Sequence, residues 1–332
     1  MSTEREGLFW AGSYTAEMDG ASEGIGRLAP RSSDGSLEYL GLAARTSCPS
    51  FVTNGTRAGL VYATDEAGAA VNAFRREGDD LVTLGGQPTS GELPCQISAT
   101  DDWLYVANYF SGTVDVFPLA EDGTIGPIHQ SLAGSGSGPH PAQDGPHAHS
   151  TLVTASVVLS ADLGTDQVHV QRWEGGSLDR IASVSFPPGT GPRDFVVAPD
   201  GRIYLIGELS GEIFELADDG STVRSGPSVV EGVDGDHWAG LVIHHSGKYL
   251  YTGLRGSNRI AIVDVATLSP IAAIDCGGDW PRNLCIVGDM LYVANERSST
   301  VTSFRVDVST GIPTPVGSPE VVPTPTYLLP AS

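Results

Sequence analysis

The sequence predicts an all-β protein built as a closed ring of seven repeats, and three observations lead to this fold class. A short strand with a polar end recurs seven times, at intervals of about 41 to 54 residues. A second strand, usually opened by proline, precedes most of these copies. The N-terminal copy lacks that preceding strand, whereas an extra one stands alone at the C-terminus. Repeats of this length with several short strands each are typical of a seven-bladed β-propeller of four-stranded antiparallel blades.

The repeated strand is an apolar run that ends in polar or aromatic residues. Its seven copies are Phe9–Tyr14, Val61–Glu66, Leu104–Tyr109, Val158–Leu163, Ile203–Glu208, Leu250–Arg255 and Leu291–Glu296. A further alternating run follows most copies as the next strand: Val71–Phe74, Thr113–Phe117, Gln167–Val170, Glu212–Phe214, Arg259–Asp264 and Thr300–Val306. The chain also has 42 glycines and 22 prolines, which suit the many tight turns that such strands need.

The two orphan segments predict how the ring closes. The strand-opening prolines are Pro49, Pro94, Pro146, Pro192 and Pro281, and Trp238-Ala239-Gly240 takes their place in one repeat. The last such segment, Pro325–Leu329, has no strand after it. We expect it to be the inner strand of the blade whose other strands come from the N-terminus, which removes an exposed sheet edge. Residues 1–332 would then form a single propeller domain.

Charge and cysteine content narrow the function. The net charge of -22 leaves no basic surface for nucleic acid or an anionic membrane. The polar start, Met1–Glu6, lacks the apolar segment of a secretory signal, and no run is long enough to span a bilayer. Four cysteines without a CxxC pair suit a reducing compartment. We therefore expect a cytoplasmic protein acting on a small molecule, with the oligomeric state left open.

Polar residues should converge at one mouth of the central channel. The innermost strand of a blade starts at the face to which the second strand returns, so these two ends lie together. Starts of inner strands carry His147, His149, Arg193, Asp194, His237 and Arg282. Ends of second strands carry Tyr14, Glu66, Tyr109, Leu163, Glu208, Arg255 and Glu296. Six of those seven ends are polar or aromatic, which predicts a cluster of ionisable groups at this mouth.

The segment Gly145–Ser150 places two histidines two residues apart. If it begins a strand, His147 and His149 point to the same face. The Gly/Ser-rich loop before it, residues 134–141, is either a flexible linker or a partial lid that brings Gln143 or Asp144 to a substrate. Tyr109, Phe110 and Trp238 could supply a flat surface for a ring.

Several motifs resemble one family. Pro146-His147-Ala148-His149-Ser150, Asp162-Leu163-Gly164-Thr165-Asp166, Gly191-Pro192-Arg193, Glu208-Leu209, Arg255-Gly256 and Ala294-Asn295-Glu296 are similar to segments of the lactonase family of seven-bladed propellers. That family includes bacterial 6-phosphogluconolactonases and fungal 3-carboxymuconate-cyclising enzymes. The resemblance implies a site at this mouth that requires neither metal nor cofactor. It also implies that His149 or His147, Arg193, Glu208 and Arg255 take part in catalysis.

Three positions depart from the family pattern. Asp194 follows the arginine of the GPR segment where histidine is frequent, and Ala142 precedes Gln143 where arginine is frequent. Leu254 stands where the family often has asparagine. The first two departures remove potential anion contacts, which weakens the case for a phosphorylated substrate and favours an unphosphorylated sugar lactone.

The residue types suit lactone hydrolysis. A histidine can activate water and later protonate the leaving alkoxide near neutral pH. Arginine remains charged and offers several donors to an oxyanion. The hypothesis is that His149 is the base, that Arg193 and Arg255 anchor the oxyanion and the carboxylate, and that Glu208 orients the histidine or acts as a second base. Expected substrate contacts are Glu66, Tyr109, Gln143, Asp194, His237, Trp238, Arg282 and Glu296.

Other readings of the same residues stay open. A base beside an arginine pair can also catalyse lactone closure or β-elimination, as a cycloisomerase or lyase would. A calcium-dependent lactonase would need carboxylate and amide ligands such as Glu66, Asn108, Asp162 and Asn295 to converge. A propeller can also be a binding scaffold without catalysis, because fold does not fix function.

Overall fold

The strands of the chain form seven four-stranded antiparallel sheets, the blades of a propeller, in a computed structural model that describes residues 7–227 and 235–332. The predicted fold class is confirmed, including the number of blades. The middle strands are apolar along nearly their whole length, as in Leu104–Asn108, because neighbouring blades cover both of their faces. Within the described residues, the helical structure is a single 3-10 turn, Ala16–Met18. No helix in that part of the chain is long and apolar enough to cross a membrane.

Each blade has four strands that follow one another from the channel outward. Blade 1 is β28 (Pro325–Pro330), β1 (Phe9–Ser13), β2 (Gly24–Pro30) and β3 (Leu37–Arg45); blade 2 is β4 (Val52–Asn54), β5 (Leu60–Asp65), β6 (Ala70–Glu77) and β7 (Asp80–Pro88); blade 3 is β8 (Pro94–Ala99), β9 (Trp103–Asn108), β10 (Thr113–Pro118) and β11 (Gln130–Ala133); blade 4 is β12 (Ala148–Val153), β13 (Val158–Asp162), β14 (Gln167–Glu174) and β15 (Ser177–Ser185). Blade 5 is β16 (Pro192–Val197), β17 (Ile203–Gly207), β18 (Ile213–Leu216) and β19 (Thr222–Ser225); blade 6 is β20 (His237–Ile243), β21 (Tyr249–Arg255), β22 (Arg259–Asp264) and β23 (Ser269–Asp275); blade 7 is β24 (Pro281–Val287), β25 (Met290–Asn295), β26 (Thr300–Val306) and β27 (Pro313–Val321).

The ring closes in blade 1 through the two chain ends, as the orphan strands predicted. Strand β28 pairs antiparallel with β1, with Phe9 opposite Pro330 and Ala11 opposite Leu328. The C-terminal segment therefore contributes the inner strand, and the N-terminal segment contributes the other three. This pairing joins the two ends of the chain in one sheet and covers the inner edge of β1.

A buried tyrosine near the start of the second strand connects several neighbouring blades. Tyr62, Tyr251 and Tyr292 donate hydrogen bonds from their hydroxyl groups to carbonyls of Gly123, Gly311 and Gly35, at 3.2, 2.8 and 2.9 Å. Each glycine lies in an outer turn of the next blade and has a positive φ. These bonds satisfy polar groups inside otherwise apolar interfaces between blades.

The inner strands enter the channel through a repeated bulge. In blades 1, 3, 4, 5 and 7 one extra residue stands after the first pairing position: Thr326, Cys95, His149, Arg193 and Arg282. A bulge re-aims the side chain of the extra residue. The pairing position before it is a proline in blades 1, 3, 5 and 7, and Ala148 in blade 4. The prediction that Pro146 opens this strand is therefore wrong by two residues.

Candidate active site

Glu208 is the centre of a buried ion cluster at the predicted mouth. Its Oε2 lies 2.7 Å from Nε of Arg193, and its Oε1 lies 2.8 Å from Nη2 of Arg255 and 3.4 Å from Nδ1 of His237. Arg193 is the bulge residue of β16, and Glu208 directly follows β17. Arg255 ends β21 and His237 begins β20. Blades 5 and 6 thus meet through four side chains that the sequence placed at one mouth.

The charges of this cluster hold one another in their ionised forms. Burial would raise the pKa of Glu208, but Arg255 and Arg193 outweigh that effect and hold the pKa well below its usual range. Burial lowers the pKa of Arg255 to about 10, opposed by Glu208, so the guanidinium is still charged near neutral pH. Glu208 is consequently a permanent carboxylate and a weak base.

His149 lies beside this cluster as the bulge residue of β12. Burial, and then the charge of Arg193, lower the pKa of its imidazole well below the ordinary value, with Glu208 opposing the shift. Its Nδ1 is buried and has no hydrogen-bond partner among the described residues. His149 is therefore neutral near pH 7 and can still accept a proton or a hydrogen bond.

A cavity of about 50 Å³ lies at the inner end of this mouth, enough for a few water molecules. His149, Arg193 and Arg282 line it, together with Cys95 and Asp194. The Cys95 thiol lies 3.3 Å from the carbonyl oxygen of His149, and burial raises its pKa, so it stays protonated. Cys95 lines the cavity although it was not predicted as a site residue; its alignment with Arg193 and Arg282 in the repeat was the available signal.

A second ion cluster faces the first from blades 7, 1 and 2. Arg282 contacts Glu296 at 2.9 Å and donates to the Tyr14 hydroxyl at 2.6 Å. That hydroxyl lies 3.1 Å from Glu66. Burial would lower the pKa of Arg282, but Tyr14, Glu296 and Glu66 raise it. Tyr14 links Glu66 to Arg282, whereas Glu296 contacts Arg282 directly; Tyr14 was not itself predicted as a substrate contact.

His147 takes a different position from His149. His147 precedes strand β12, and His149 is the bulge residue of that strand. The expectation that the two rings point to the same face by strand alternation is therefore wrong. The His147 ring stacks on Tyr109 with centroids 4.7 Å apart, and its nitrogens face the Tyr109 carbonyl and the Asp144 carboxylate, each at 3.0 Å. Tyr109 also presents its ring to His149 at 5.9 Å. Tyr109 therefore separates the two histidines.

Three predicted substrate contacts, Gln143, Trp238 and Asp194, have side chains that bond to or pack against other parts of the protein. The Gln143 amide is buried, donates to the Leu163 carbonyl and Asp166, and accepts from the His140 N–H, so it anchors its loop instead of facing a substrate. The Trp238 ring packs into the apolar core between blades 5 and 6.

Asp194 is the third of these engaged contacts. It lines the cavity but accepts a hydrogen bond from the Leu241 N–H at 3.0 Å, and burial raises its pKa. Its carboxylate is therefore committed to the inner strand of the next blade.

The Asp162–Asp166 segment positions the loops on either side of it. Asp162 accepts a hydrogen bond from the His147 N–H at 2.8 Å. Asp166 accepts from the N–H groups of Gly189 and Gly191 at 2.7 and 2.8 Å, and so holds the entry to Arg193. A Cβ on Gly164 would lie 1.8 Å from the Gly145 carbonyl, which only glycine permits.

The side chains that a calcium site would need, those of Glu66, Asn108, Asp162 and Asn295, do not meet at one point. Asn108 donates to Thr113 and Asp115 of its own blade, and Asn295 donates to Thr302 of its own blade. Glu66 and Asp162 are likewise engaged with Tyr14 and His147. Each of these groups therefore serves its own surroundings.

A further aromatic residue stands at the rim. Trp280 has a φ of 66° just before Pro281, and the Arg297 guanidinium lies 3.3 Å from its ring centroid. Arg255 approaches the same ring at 5.8 Å. Trp280 and Arg297 were not predicted; the signal that could have found Trp280 is its place directly before a strand-opening proline.

Comparison with known proteins agrees with this architecture. The chain is 30% identical to the 6-phosphogluconolactonase of Bacillus subtilis, with 95% of this chain and 96% of that protein aligned. The crystal structure of a Bacteroides fragilis protein superposes on this chain with a TM-score of 0.90 at 28% identity, covering 99% of this chain and 98% of that protein. The periplasmic gluconolactonase of Pseudomonas aeruginosa superposes with a TM-score of 0.88 at 26% identity, covering 98% and 99%. Residues 8–330 match the lactonase, seven-bladed β-propeller family, and the chain belongs to that family.

Proposed function

We propose that this protein hydrolyses a small sugar lactone at the channel mouth, with His149, Arg193, Glu208 and Arg255 as the catalytic group. The single observation that carries the proposal is the buried cluster in which one carboxylate holds two guanidinium groups next to a neutral imidazole. Family membership and relatives that are named for lactone hydrolysis support it.

The proposed chemistry follows from the charges. His149 is neutral, so it accepts a proton from a water molecule as that water attacks the lactone carbonyl. Arg193 and Arg255 donate to the oxyanion that develops, in a buried site where such donors are most effective. The ring C–O bond then breaks, and protonated His149 returns its proton to the leaving alkoxide. The product is the open-chain hydroxy acid, which releases a proton to solvent.

Glu208 has an indirect part in this scheme. Each of its oxygens already faces a guanidinium, so it is a poor proton acceptor and a good anchor. It keeps Arg193 and Arg255 aligned and offsets the charge on His149 after proton transfer. We expect Tyr109, whose ring lies next to His149, and the partly exposed His237 to contact the sugar hydroxyls.

The charge balance favours an unphosphorylated substrate. The three buried arginines of the mouth, Arg193, Arg255 and Arg282, each contact a carboxylate, Glu208 or Glu296. Glu66 adds a third carboxylate through Tyr14. Three carboxylates thus balance the three guanidinium charges, so this set has no net positive charge to offset a phosphate dianion. We therefore expect glucono-δ-lactone and related neutral lactones to be preferred over their 6-phosphates.

The test compares both substrates in wild type and Arg193→Ala, with spontaneous hydrolysis subtracted. Removing one oxyanion donor costs about 2.7–4 kcal/mol, so kcat should fall by about 10²–10³-fold. Arg45→Ala, an exposed arginine in blade 1, is the control and should keep the wild-type rate. Turnover that is unchanged in Arg193→Ala would refute the assignment, and absence of lactone turnover in wild type would refute the function. A preference for the 6-phosphate would refute only the substrate class.

A further inference from the structure

Three potential metal ligands meet on the face of the ring opposite the mouth. His244 and His245 follow the far end of β20 in blade 6, and Asp289 lies in the tight turn between β24 and β25 of blade 7. Their ligand atoms all lie within 4.8 Å of one another. We infer that His244, His245 and Asp289 bind one divalent transition-metal ion. The site is separate from the proposed lactone site and does not depend on it.

The spacing of the atoms fits a common centre. Nε2 of His244 lies 3.2 Å from Oδ1 of Asp289, and Nδ1 of His245 lies 3.9 Å from the same oxygen. Two ligand atoms at about 2.0–2.2 Å from a tetrahedral ion are separated by about 3.3–3.6 Å. His244 is buried and fixed, whereas the His245 side chain is 61% exposed and can rotate to complete the set. A fourth position stays open to water.

The ligand types determine which ions fit. Two imidazoles and one carboxylate suit Zn²⁺, Ni²⁺ or Cu²⁺, and a hard cation such as Ca²⁺ or Mg²⁺ would need more oxygen ligands. Ser246 contacts the other nitrogen of the His244 ring, because its Oγ lies 2.8 Å from Nδ1. That hydroxyl can accept the Nδ1 proton and leave Nε2 free for the ion, as outer partners of metal-bound histidines commonly do.

Metal binding would replace the contact between Nε2 of His244 and Asp289 with metal bonds to both groups. The Ser246 N–H also approaches Nδ1 of His244 at 3.2 Å, which places the ring proton on Nε2, toward Asp289, when no ion is bound. An ion replaces that proton at Nε2, and the ring proton is then carried by Nδ1 toward the Ser246 hydroxyl. The ion would connect blade 6 to blade 7 and so stabilise the folded ring.

The experiment uses the full-length, untagged protein after removal of bound metal with a chelator. Zn²⁺ is titrated by calorimetry and Co²⁺ by its visible absorption, and thermal unfolding is followed with and without Zn²⁺. We expect one equivalent of either ion, a tetrahedral Co²⁺ spectrum and a higher Tm with Zn²⁺. His245→Ala and Asp289→Asn alter exposed side chains, and each should weaken binding by at least about tenfold; Ser246→Ala should weaken it by about 10–100-fold.

The matched control is His129→Ala, which removes an exposed histidine from blade 3. It should bind Zn²⁺ as wild type does. A wild-type protein that takes up neither ion would overturn the inference. So would binding that persists at wild-type affinity in both His245→Ala and Asp289→Asn, because the ion would then sit at other histidines.

Discussion

Replacing Glu208 by glutamine tests the central cluster directly. The substitution preserves shape but removes the charge that lies 2.7 Å from Arg193 and 2.8 Å from Arg255. The arginine side chains are only 6% and 8% exposed, so water cannot take over the role of the carboxylate. Removing one partner from a buried ion pair costs about 3–5 kcal/mol, because the remaining charge stays buried without compensation.

The expected effect can be expressed as a melting temperature. An unfolding entropy of about 2.1 cal/mol/K per residue gives about 0.7 kcal/mol/K for a chain of 332 residues. A loss of about 3–5 kcal/mol then lowers the Tm by about 4–7 °C. Differential scanning calorimetry at pH 7 measures this shift, and lactone turnover below the Tm should fall together with it.

Glu23→Gln is the matched control. Glu23 forms a pair with Arg45 at 2.9 Å, similar in geometry to those of Glu208, but both side chains are more than half exposed. Exposed pairs contribute about 0–1 kcal/mol, so the Tm should change by less than about 1.5 °C. If Glu208→Gln melts within the range of this control, the two arginines are not held by Glu208 and the reasoning about the site is refuted.

Three further predictions concern proton transfer, loop positioning and blade contacts. The pKa of His149 lies well below 6.5, so its neutral form persists as the pH falls. The value of kcat/KM should therefore stay level from pH 8 through pH 6.5 and decline only in more acidic solution. A decline centred near pH 6.5 would contradict His149 as the base. Asp166→Asn weakens charge-assisted bonds to Gly189 and Gly191 and should cost about 1.5–3 kcal/mol in urea unfolding, with a lower kcat; a variant as stable as wild type would argue against this anchoring. Tyr251→Phe removes the 2.8 Å bond to the next blade and should cost about 1 kcal/mol in the same assay; an unchanged midpoint would show that the bond adds nothing.

The candidate site was predictable in outline because a propeller converts repeat position into spatial position. The starts of inner strands and the ends of second strands reach the same mouth in every repeat, so the sequence alone placed Arg193, Glu208 and Arg255 together. The pairing within that set was not predictable. Which carboxylate faces which arginine depends on blade spacing and side-chain torsions, and the sequence holds no local record of these.

Side-chain orientation was not predictable from the sequence. Gln143 and Trp238 stand at the expected places along the chain, yet the first bonds to Asp166 and the second packs into the core. Either side chain could turn toward the channel or away from it, and the choice depends on neighbours that are distant in sequence. The bulge at His149 is likewise invisible in the pattern, because one extra residue in an inner strand leaves the apolar alternation of the second strand intact.

The sequence by itself determined the all-β class, the count of seven blades and the closure by the two chain ends. These follow from local alternation, from turn residues and from two complementary orphan strands, all of which are properties of short segments. Only the tertiary structure decided that His149 and His147 have different surroundings, that Glu208 holds two arginines, and that His244, His245 and Asp289 meet across two blades. Those facts depend on contacts between distant segments, where burial and charge, and not local propensity, select the arrangement.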